Sequence, residues 1–299
     1  MSIGHPPEVS LILVHYNDRP HLEACFEAIQ PGAFSPSREI LLVDNASTDG
    51  GAEFVAARYP EVRLIRNASN VGFARACNQA ARESRGDYLL FLNTDTVMLS
   101  RSLGVLAAAL RKSPRAGAAG PALLHASGKT QVSFGARVDF IAQFVQKFFL
   151  NPYYKVRPRR ARAPRGTGWL SAACLLARRE AFDDVGGFDE NFFIYFEDID
   201  LCVRMREAGW GLLFVPEARV LHAGGATTSP RPAASRLEYR RSQIYFYEKH
   251  NSRISLCLLR SYLRFAIAAR RAAGRFRGPE GRTLPAEYRR LLDKKRPSP

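Results

Sequence analysis

Short apolar runs alternate with amphipathic segments through the first third of the chain, and this pattern constrains the fold more than any other feature. Apolar runs at 9–14, 39–43, 62–65 and 88–92 have the length of buried strands. The segments between them predict helices over 20–30, 51–59 and 73–83. Strands that alternate with helices through short connections form a largely parallel sheet covered on both faces. The sequence therefore predicts an α/β fold.

Polar residues follow each predicted strand, as "HYND", "DNASTDG", "NASNVG" and "NTDT" in chain order. In parallel sheets, ligands bind beyond the carboxyl ends of the strands, so these segments predict one shared cleft. No GxGxxG follows the first strand and no GxxxxGK[ST] occurs, which disfavours a dinucleotide-binding fold and a P-loop.

The second half of the chain is less regular. A helix is predicted over 102–112, a strand over 116–125 and a helix over 197–208. Two closing strands are predicted at 212–215 and 219–222. We therefore expect the sheet to continue into this half.

The predicted α/β domain spans residues 1–228 and divides at about residue 98 into two halves, about 1–98 and about 99–228. The proline- and arginine-rich stretch "KVRPRRARAPRG" predicts a mobile basic loop within about 137–168. Residues 229–299 are predicted to form a basic, amphipathic, helical C-terminal region.

Positive charge is concentrated in two segments. The net charge is +16, of which residues 229–299 carry a net +13. Residues 154–166 contain six basic residues and no acid. Charge concentrated in this way favours an anionic partner, either membrane phosphates or nucleic acid. The absence of a known DNA- or RNA-binding motif argues against nucleic acid.

The C-terminal region contains arginines separated by 7, 4, 7 and 4 residues: Arg253, Arg260, Arg264, Arg271 and Arg275. On a helix they fall within an arc of about 60°. The residues roughly opposite are Leu258, Tyr262, Phe265, Ala269 and Phe276. Such a helix either lies in an anionic membrane interface with its arginine face or packs on the catalytic domain with its arginines in water.

The cysteines predict a reduced protein. Five are present, an odd number, widely scattered and without a CxxC pair: Cys25, Cys77, Cys174, Cys202 and Cys257. We interpret them as core residues of a cytosolic protein. No signal-peptide pattern and no stretch of about 20 apolar residues occurs, so we expect the chain to stay in the cytosol.

Asp95 follows an apolar strand at the expected opening of the cleft, where a carboxylate suits a divalent cation that holds a diphosphate. A loop aspartate that caps the next helix is the alternative. Asp44 ends its strand similarly, although "DNAST" is also typical of an Asx turn. His222 is a second candidate ligand, and a structural histidine is the alternative.

The stretch "FFIYFEDIDLCVR" places three acids among aromatic and aliphatic residues. Asp200 and Arg204 are four residues apart and predict an ion pair along a helix. Glu197 and Asp198 lie at the predicted helix N-terminus, which favours anions. A carboxylate in a partly apolar cleft is also a candidate general base. Spacing alone leaves both interpretations open.

Six motifs in order carry a family resemblance: "VHYN", "VDNASTDG", "NVGFARACN", "LLFLNTDT", the segment from "SAACLLARREAF" through "FEDIDLCVRMREAGW", and "VLHAGG". Over roughly residues 8–250 the chain resembles the family 2 glycosyltransferases, inverting enzymes of the GT-A fold. It is most similar to their bacterial rhamnosyltransferase-like members.

The resemblance implies a role for each matching residue. Asp198 is implied as the catalytic base, with Glu197 beside it. Asp95 is implied as the metal-binding acid and His222 as the histidine that completes a Mg²⁺ or Mn²⁺ site. The implied nucleotide-sugar site comprises His15, Tyr16, Asn17, Asp44, Asn45, Asn70, Gly72, Phe73, Asn78, Asn93, Thr94 and Asp95. The implied acceptor site comprises Trp169, Ser171 and Ala172. The resemblance thus implies that residues 1–228 are a catalytic domain, with a nucleotide-binding half at about 1–98 and an acceptor-binding half at about 99–228.

One departure from the family pattern is plain: Asn93 stands where the Asp-x-Asp motif has its first acid. The substitution removes one negative charge from the expected metal site. Because many relatives of this subgroup look the same, we do not interpret Asn93 as a sign of inactivity.

The resemblance implies transfer of a sugar, with L-rhamnose from dTDP-rhamnose as the candidate, to a hydroxyl of a glycan or lipid-linked acceptor in cell-envelope polysaccharide biosynthesis. The enzyme would be cytoplasmic and peripheral at the inner face of the plasma membrane. Alternatives are a transferase of the same family that uses a UDP-sugar, carrying GlcNAc or galactose, and an inactive nucleotide- or membrane-binding scaffold. A nucleotidyltransferase is disfavoured because "HYNDRP" is not a glycine-rich, lysine-containing loop.

Overall fold

A computed structural model describes residues 7–29, 36–135, 164–224, 232–272, 287–288 and 291–293. The strands are β1 Val9–His15, β2 Arg38–Asp44, β3 Arg63–Arg66, β4 Tyr88–Asn93, β5 Thr96–Met98, β6 Ala116–Leu124, β7 Phe134–Gly135, β8 Arg165–Gly166, β9 Trp169–Leu170, β10 Cys174–Arg178 and β11 Gly211–His222. The helices are α1 Arg19–Ala28, α2 Gly51–Arg58, α3 Phe73–Glu83, α4 Ser102–Lys112, α5 Arg179–Asp184, α6 Glu197–Glu207, α7 Pro232–His250 and α8 Arg253–Ala272.

The chain divides into two compact units. The first comprises Met1–Ala136, Pro158–Phe193 and Glu197–Thr227. The second comprises Arg137–Arg157, Ile194–Phe196 and Thr228–Pro299. The first unit contains the sheet, and the second contains α7 and α8.

The central sheet of the described residues has the strand order β3-β2-β1-β4-β10-β6-β11-β5, and β8 pairs with β11. The strands β3, β2, β1 and β4 run parallel. Strand β10 is antiparallel to both of its neighbours, and β6 and β11 are again parallel. The mostly parallel α/β architecture that the alternation predicts is therefore confirmed.

Helices cover both faces of the sheet because side chains of each strand alternate between two cores. Leu11 and Leu13 of β1 belong to one core, and Ile12 belongs to the other. Helices α1, α2 and α4 contribute to the first core, and α3, α5 and α6 to the second. This alternation follows from the two-residue period of a strand.

The carboxyl ends of the parallel strands lie side by side. His15 at the end of β1 is in register with Asp44 at the end of β2, and Asp44 is in register with Arg66. Val14 is in register with Asn93 of β4. The polar segments that follow these strands therefore begin at one edge, as the sequence predicts.

Two predicted features differ in the structure. The two closing strands are one strand, β11, with a register shift between Val215 and Arg219. Pro216 has no backbone N–H, so the irregularity absorbs it without ending the strand. Most of the predicted mobile loop, residues 136–163, is outside the described residues. At its end, Arg165–Gly166 forms β8.

The cysteines are free, and four of them are buried as predicted. The prediction of a core position is wrong for Cys257, which is exposed on α8. Its helix buries a different face, which Leu256, Leu259 and Leu263 form. Cys257 directly follows the buried Leu256, and one residue, about 100° around the helix, separates the two environments. Residue type alone therefore did not decide the outcome.

The second unit packs α8 along α7. Arg260 Nη2 lies 2.6 Å from Glu248 Oε1, and Arg264 Nη2 lies 3.0 Å from Asp293 Oδ1. Phe196 packs its ring 5.4 Å from that of Phe246 on α7. The predicted arginine face is therefore partly wrong, because Arg260 is half-buried in an ion pair. Phe276 and Arg275 lie outside the described residues.

Candidate active site

The turn after β4 is held by main-chain and side-chain hydrogen bonds. The Asn93 N–H donates to Ala173 O at 3.0 Å. Thr96 Oγ1 donates to Asn93 O at 2.6 Å, and Thr94 Oγ1 donates to Asp18 Oδ2 at 3.3 Å. These bonds fix the Asn93–Asp95 backbone at the carboxyl edge of the sheet.

Asp95 and His222 meet at this edge although they are 127 positions apart in the sequence. Strand β5 pairs with β11 and places Thr96 opposite His222. As a result, Asp95 Oδ1 lies 3.3 Å from His222 Nε2. The implied metal ligands are thus brought together, and both side chains are largely buried.

Gln131 determines which nitrogen of His222 carries a proton. Gln131 Nε2 donates to His222 O at 2.7 Å, so the amide oxygen Oε1 faces the ring, 2.8 Å from His222 Nδ1. Because Oε1 only accepts, Nδ1 must be the donor. In the neutral ring, Nε2 then carries the lone pair.

With the ring in that neutral form, a lone pair on His222 Nε2 faces a carboxylate oxygen of Asp95. Two acceptors at this distance need a proton or a cation between them. Imidazole nitrogen and carboxylate oxygen are both ligands of Mn²⁺. Among the described residues, no three His, Cys, Asp or Glu side chains form a metal-binding group. The chemistry of the pair therefore fits a divalent cation.

Asp18 is a buried acid in this region that the sequence analysis did not single out. It precedes α1 without capping it, because its carboxylate lies 2.6 Å from His21 Nδ1 and accepts from Thr94. Burial raises the pKa of Asp18, and the charge of Asp95 raises it further. A second negative charge therefore stands close to Asp95, where Asn93 supplies none.

The segments after β1 and β2 are tied together. His15 is fully buried and its Nε2 lies 3.0 Å from Asp49 Oδ1. The Thr48 N–H donates to Asn17 Oδ1 at 2.8 Å, and Asn17 adopts a φ of 52°. These contacts stiffen the segment that contains Tyr16, the residue between them.

Asp44 and Asn45 end β2 as buried polar residues. Asp44 Oδ1 accepts the Ser47 N–H at 3.1 Å, three residues on, whereas the Asx turn that the sequence allows would bond the N–H two residues on. Asn45 Nδ2 donates to Gly72 O at 3.3 Å, and Asn45 Oδ1 accepts from Asn67 Nδ2 at 2.9 Å. Asn45 thus connects β2 to the entrance of α3.

Gly72 allows a close approach at the start of α3. Its φ is +87°, and a Cβ there would lie 2.6 Å from Phe193 O. The neighbouring Phe73 N–H donates to Phe193 O at 2.7 Å, and Asn70 Oδ1 accepts the Gly72 N–H at 3.0 Å. Only glycine fits this position, so α3 begins against the segment that leads to the acids of α6.

Asn78 links α3 to the loop after α5. Its Nδ2 donates to Phe188 O at 2.8 Å and its Oδ1 accepts the Phe188 N–H at 2.9 Å. Nδ2 also lies 3.1 Å from Glu190 Oε1. Both ends of this amide are therefore engaged within the protein.

The Asp198 carboxylate is held at both oxygens by backbone donors. Oδ2 accepts the Ala172 N–H at 3.0 Å, and Oδ1 accepts the Ile199 N–H at 2.8 Å. Burial raises the pKa of Asp198, while these N–H groups lower it, and the net shift is upward. The side chain remains partly accessible. Asp198 is therefore an oriented carboxylate with the properties of a general base.

Residues 171–173 connect the candidate base to the turn after β4. Ala172 donates to Asp198, and the adjacent Ala173 accepts from Asn93. The Ser171 N–H donates to Ser133 O at 2.9 Å, and Trp169 packs against Gly135 across the β7–β9 pair. Ser171 and Ala172 thus belong to a segment that is bonded to Asp198 on one side and to the turn after β4 on the other.

Glu197 is buried, and its Oε2 has no hydrogen-bond partner within the described part of the chain. Burial raises the pKa of Glu197 well above its usual 4.5, and the charge of Asp198 raises it further. By contrast, Asp200 pairs with Arg204 at 2.7 Å, as predicted. The three acids of the stretch "FFIYFEDIDLCVR" therefore have three different environments.

Glu197→Gln is expected to raise the melting temperature at neutral pH by a few degrees. A carboxyl whose pKa is raised by folding binds its proton more tightly in the native state, so ionisation destabilises the fold as pH rises above 4.5. The increase in melting temperature over wild type should disappear below pH 4.5. Thermal unfolding across this range measures it, with Glu180→Gln as an exposed control. Equal stability at neutral pH would contradict a buried proton on Glu197.

The fold resembles solved structures across most of its length. The mannosyltransferase PcManGT from Pyrobaculum calidifontis, solved with GDP-Man and Mn²⁺, gives a TM-score of 0.57 over 96% of this chain and 86% of that one, at 18% identity. GalNAc-T7, solved with UDP, GalNAc and Mn²⁺, gives 0.55 over 81% of this chain and 50% of that one, also at 18% identity. These likenesses confirm the GT-A fold.

Sequence comparisons agree. The N-acetylglucosaminyl-diphospho-decaprenol L-rhamnosyltransferase of Mycobacterium tuberculosis is 33% identical over 279 residues, 87% of this chain and 90% of that protein. The rhamnosyltransferase WbbL of Escherichia coli is 29% identical over 143 residues, 47% of this chain and 54% of that protein. The model described as "Glycosyltransferase like family 2" matches residues 6–244. The chain therefore belongs to glycosyltransferase family 2 and is a glycosyltransferase.

Proposed function

We propose that this enzyme transfers L-rhamnose from dTDP-L-rhamnose to a hydroxyl of a lipid-linked glycan acceptor, with inversion at the anomeric carbon. The observation that carries the proposal is the similarity, over 87% of the chain, to a rhamnosyltransferase named for an N-acetylglucosaminyl-diphospho-decaprenol acceptor. The reaction would serve the assembly of a cell-envelope polysaccharide at the cytoplasmic face of the membrane.

The donor half, residues 1–98, would bind the nucleotide at the carboxyl edge of the sheet. Asp44 and the His15–Asn17 segment would contact the base, and the Asn70–Asn78 segment would line the pocket. The rigid connections among these segments support this assignment, because they preorganise the loops before the donor arrives. Residues 99–228 would then bind the acceptor, with Trp169 as an apolar contact.

Asp95 and His222 would hold the divalent cation, Mg²⁺ or Mn²⁺. When bound, such a cation neutralises charge that develops on the diphosphate leaving group and contributes several kcal/mol. The residues around the pair orient it: Gln131 fixes the ring of His222, and Asp18 and Thr94 brace the backbone of the Asp95 turn.

Asp198 would accept the proton of the acceptor hydroxyl as that oxygen attacks the anomeric carbon. The C–O bond to the acceptor forms while the bond to the diphosphate breaks on the opposite side of the sugar. A single displacement of this kind inverts the configuration and needs no enzyme nucleophile. The backbone N–H groups that grip Asp198 would keep its free lone pairs directed at the acceptor.

Thermal shift with a panel of nucleotide sugars, with and without Mn²⁺, tests the donor, since a ligand of the native state raises its melting temperature. We expect the largest shift with dTDP-L-rhamnose and Mn²⁺. A larger shift with UDP-GlcNAc or UDP-galactose would favour the alternative donors. Binding without any transfer to acceptor would favour an inactive scaffold.

Gln131→Leu is expected to weaken Mn²⁺ binding by about 10–100-fold, because residues that orient a metal-binding histidine commonly have effects of this size. Isothermal titration with Mn²⁺ in the presence of dTDP measures the affinity. Gln79→Leu, at a half-buried position of α3, makes the same change of side chain away from His222 and serves as the control. Unchanged Mn²⁺ affinity in Gln131→Leu would contradict the role of His222 as a ligand.

A further inference from the structure

The outward face of α8 is apolar. Ile254 and Phe265 expose 74% and 73% of their surface, and Leu258 exposes 43%. At about 100° per residue these three positions fall within about 40° of one another on the helix. The opposite face, formed by Leu256, Leu259 and Leu263, is already buried in the second unit.

This arrangement differs from that of an ordinary surface helix. A helix on a soluble domain normally buries one apolar stripe and presents charged residues to water. Helix α8 has no acidic residue along its 20 positions. Its exposed charges within the stretch with described side chains are Arg253 and Arg264, which lie together on one flank of the apolar face. Exposed apolar clusters commonly mark an interaction surface.

The net charge of the C-terminal region indicates an anionic partner. Residues 229–299 carry a net +13, so a partner of complementary charge is anionic. The outer face of α8 offers apolar side chains flanked by arginines, the combination that lets a helix lie in a membrane interface. Among the described residues, no helix is long and apolar enough to cross a bilayer.

We propose that the outer face of α8, defined by Ile254, Leu258 and Phe265 with Arg253 and Arg264 beside it, binds the surface of an anionic lipid bilayer. The apolar side chains enter the boundary between headgroups and acyl chains, and Arg253 contacts lipid phosphates. Arg264, which pairs with the exposed Asp293 at 3.0 Å, exchanges this weak surface ion pair for a lipid phosphate. The inference rests on the proposed function in one respect: a lipid-linked acceptor is presented at that surface.

Sedimentation of the full-length chain with lipid vesicles tests the surface. Wild type is expected to bind vesicles that contain phosphatidylglycerol, and to bind vesicles of phosphatidylcholine alone weakly. The variant Ile254→Ser/Leu258→Ser/Phe265→Ser keeps every charge and is expected to bind anionic vesicles about 10-fold less well, or weaker still. Equal binding by wild type and this variant, or no binding by wild type, would overturn the proposal.

A matched pair of charge variants separates a local surface from net charge. Arg253→Gln/Arg264→Gln is expected to weaken vesicle binding several-fold and to reduce its salt dependence. Arg58→Gln/Lys112→Gln removes the same charge from exposed positions in the first unit and is expected to leave binding unchanged. Equal losses in the two pairs would show binding by overall charge, which contradicts the proposal.

Two further readouts complete the test. Light scattering of wild type and the serine variant without lipid shows whether a second copy of the chain covers this face; a dimer that the variant abolishes would overturn the bilayer as partner. Thermal unfolding and transfer to a water-soluble acceptor analogue are expected to be equal in both proteins. If neither transfers sugar, the proposed function fails, whatever the vesicle result.

Discussion

Asp198→Asn is expected to reduce sugar transfer by about 10²–10⁴-fold, the usual contribution of a positioned general base. The amide has nearly the same shape, and its oxygen keeps the hydrogen bond from Ala172 while the bond from Ile199 is lost. One retained bond should suffice to keep the local structure. Donor binding is expected to change only a few-fold. Initial rates and donor affinity, measured separately on the same preparation, check both statements.

The control for Asp198 is Asp183→Asn, which removes an exposed carboxylate from α5. It is expected to transfer sugar at the wild-type rate. An equal loss of donor binding and transfer in Asp198→Asn would instead show that Asp198 serves the structure of the α6 N-terminus.

The same assignment predicts a pH dependence. The base must be ionised, and burial raises the pKa of Asp198 above its usual 3.8. Activity is therefore expected to fall as pH decreases through a value above 3.8, on the acid side of the profile of kcat/KM. The thermal unfolding of the protein at each pH distinguishes loss of the base from loss of the fold.

Asp95→Asn is expected to lower transfer at limiting Mn²⁺ by about 10²-fold or more, because a cation that stabilises a leaving group contributes several kcal/mol. The variant keeps the shape of the side chain but removes the charge that faces His222. Initial rates over a range of Mn²⁺ concentrations, together with direct Mn²⁺ titration, separate metal affinity from the rate at saturation.

Asn93→Asp provides the complementary variant. It restores the acid that the family motif has at this position and is expected to tighten Mn²⁺ binding. If Asp95→Asn binds Mn²⁺ as wild type does, the cation is held elsewhere, and the assignment of Asp95 and His222 is wrong.

The donor half of the fold could be predicted from the sequence because its signals are local. Each parallel strand is a short apolar run that ends in polar residues, and the helices between them carry clear apolar periods. The i,i+4 pair of Asp200 and Arg204 was predicted for the same reason. Interactions within one turn or one strand are encoded in neighbouring residues.

The details of the site depend on pairings that no local pattern records. Gln131 reaches His222 across 91 positions, and Asp18 reaches Thr94 across 76. Neither residue has a sequence signal beyond being polar near the end of a predicted element. The antiparallel position of β10 between β4 and β6 is equally non-local, and it is what brings Ala172 to Asp198.

The face that α8 exposes differs from the one that the arginine spacing predicts. The arginine spacing predicts a charged outer face, yet Arg260 turns inward to Glu248 and Phe265 turns outward. Helix periodicity defines two faces but does not state which one packs against the rest of the domain. Helix α8 contacts α7 and residues 291–293. No local sequence pattern places these two segments beside α8.

The stereochemistry of the product tests the proposed single displacement, with Asp198 as the base, most directly. Incubation of the enzyme with dTDP-L-rhamnose, Mn²⁺ and an acceptor analogue, followed by NMR of the anomeric proton and carbon, identifies the linkage that forms. We predict a glycoside whose anomeric configuration is opposite to that of the donor. Wild type is expected to form it, and Asp198→Asn is not. A product with retained configuration, or equal transfer by both proteins, would contradict it.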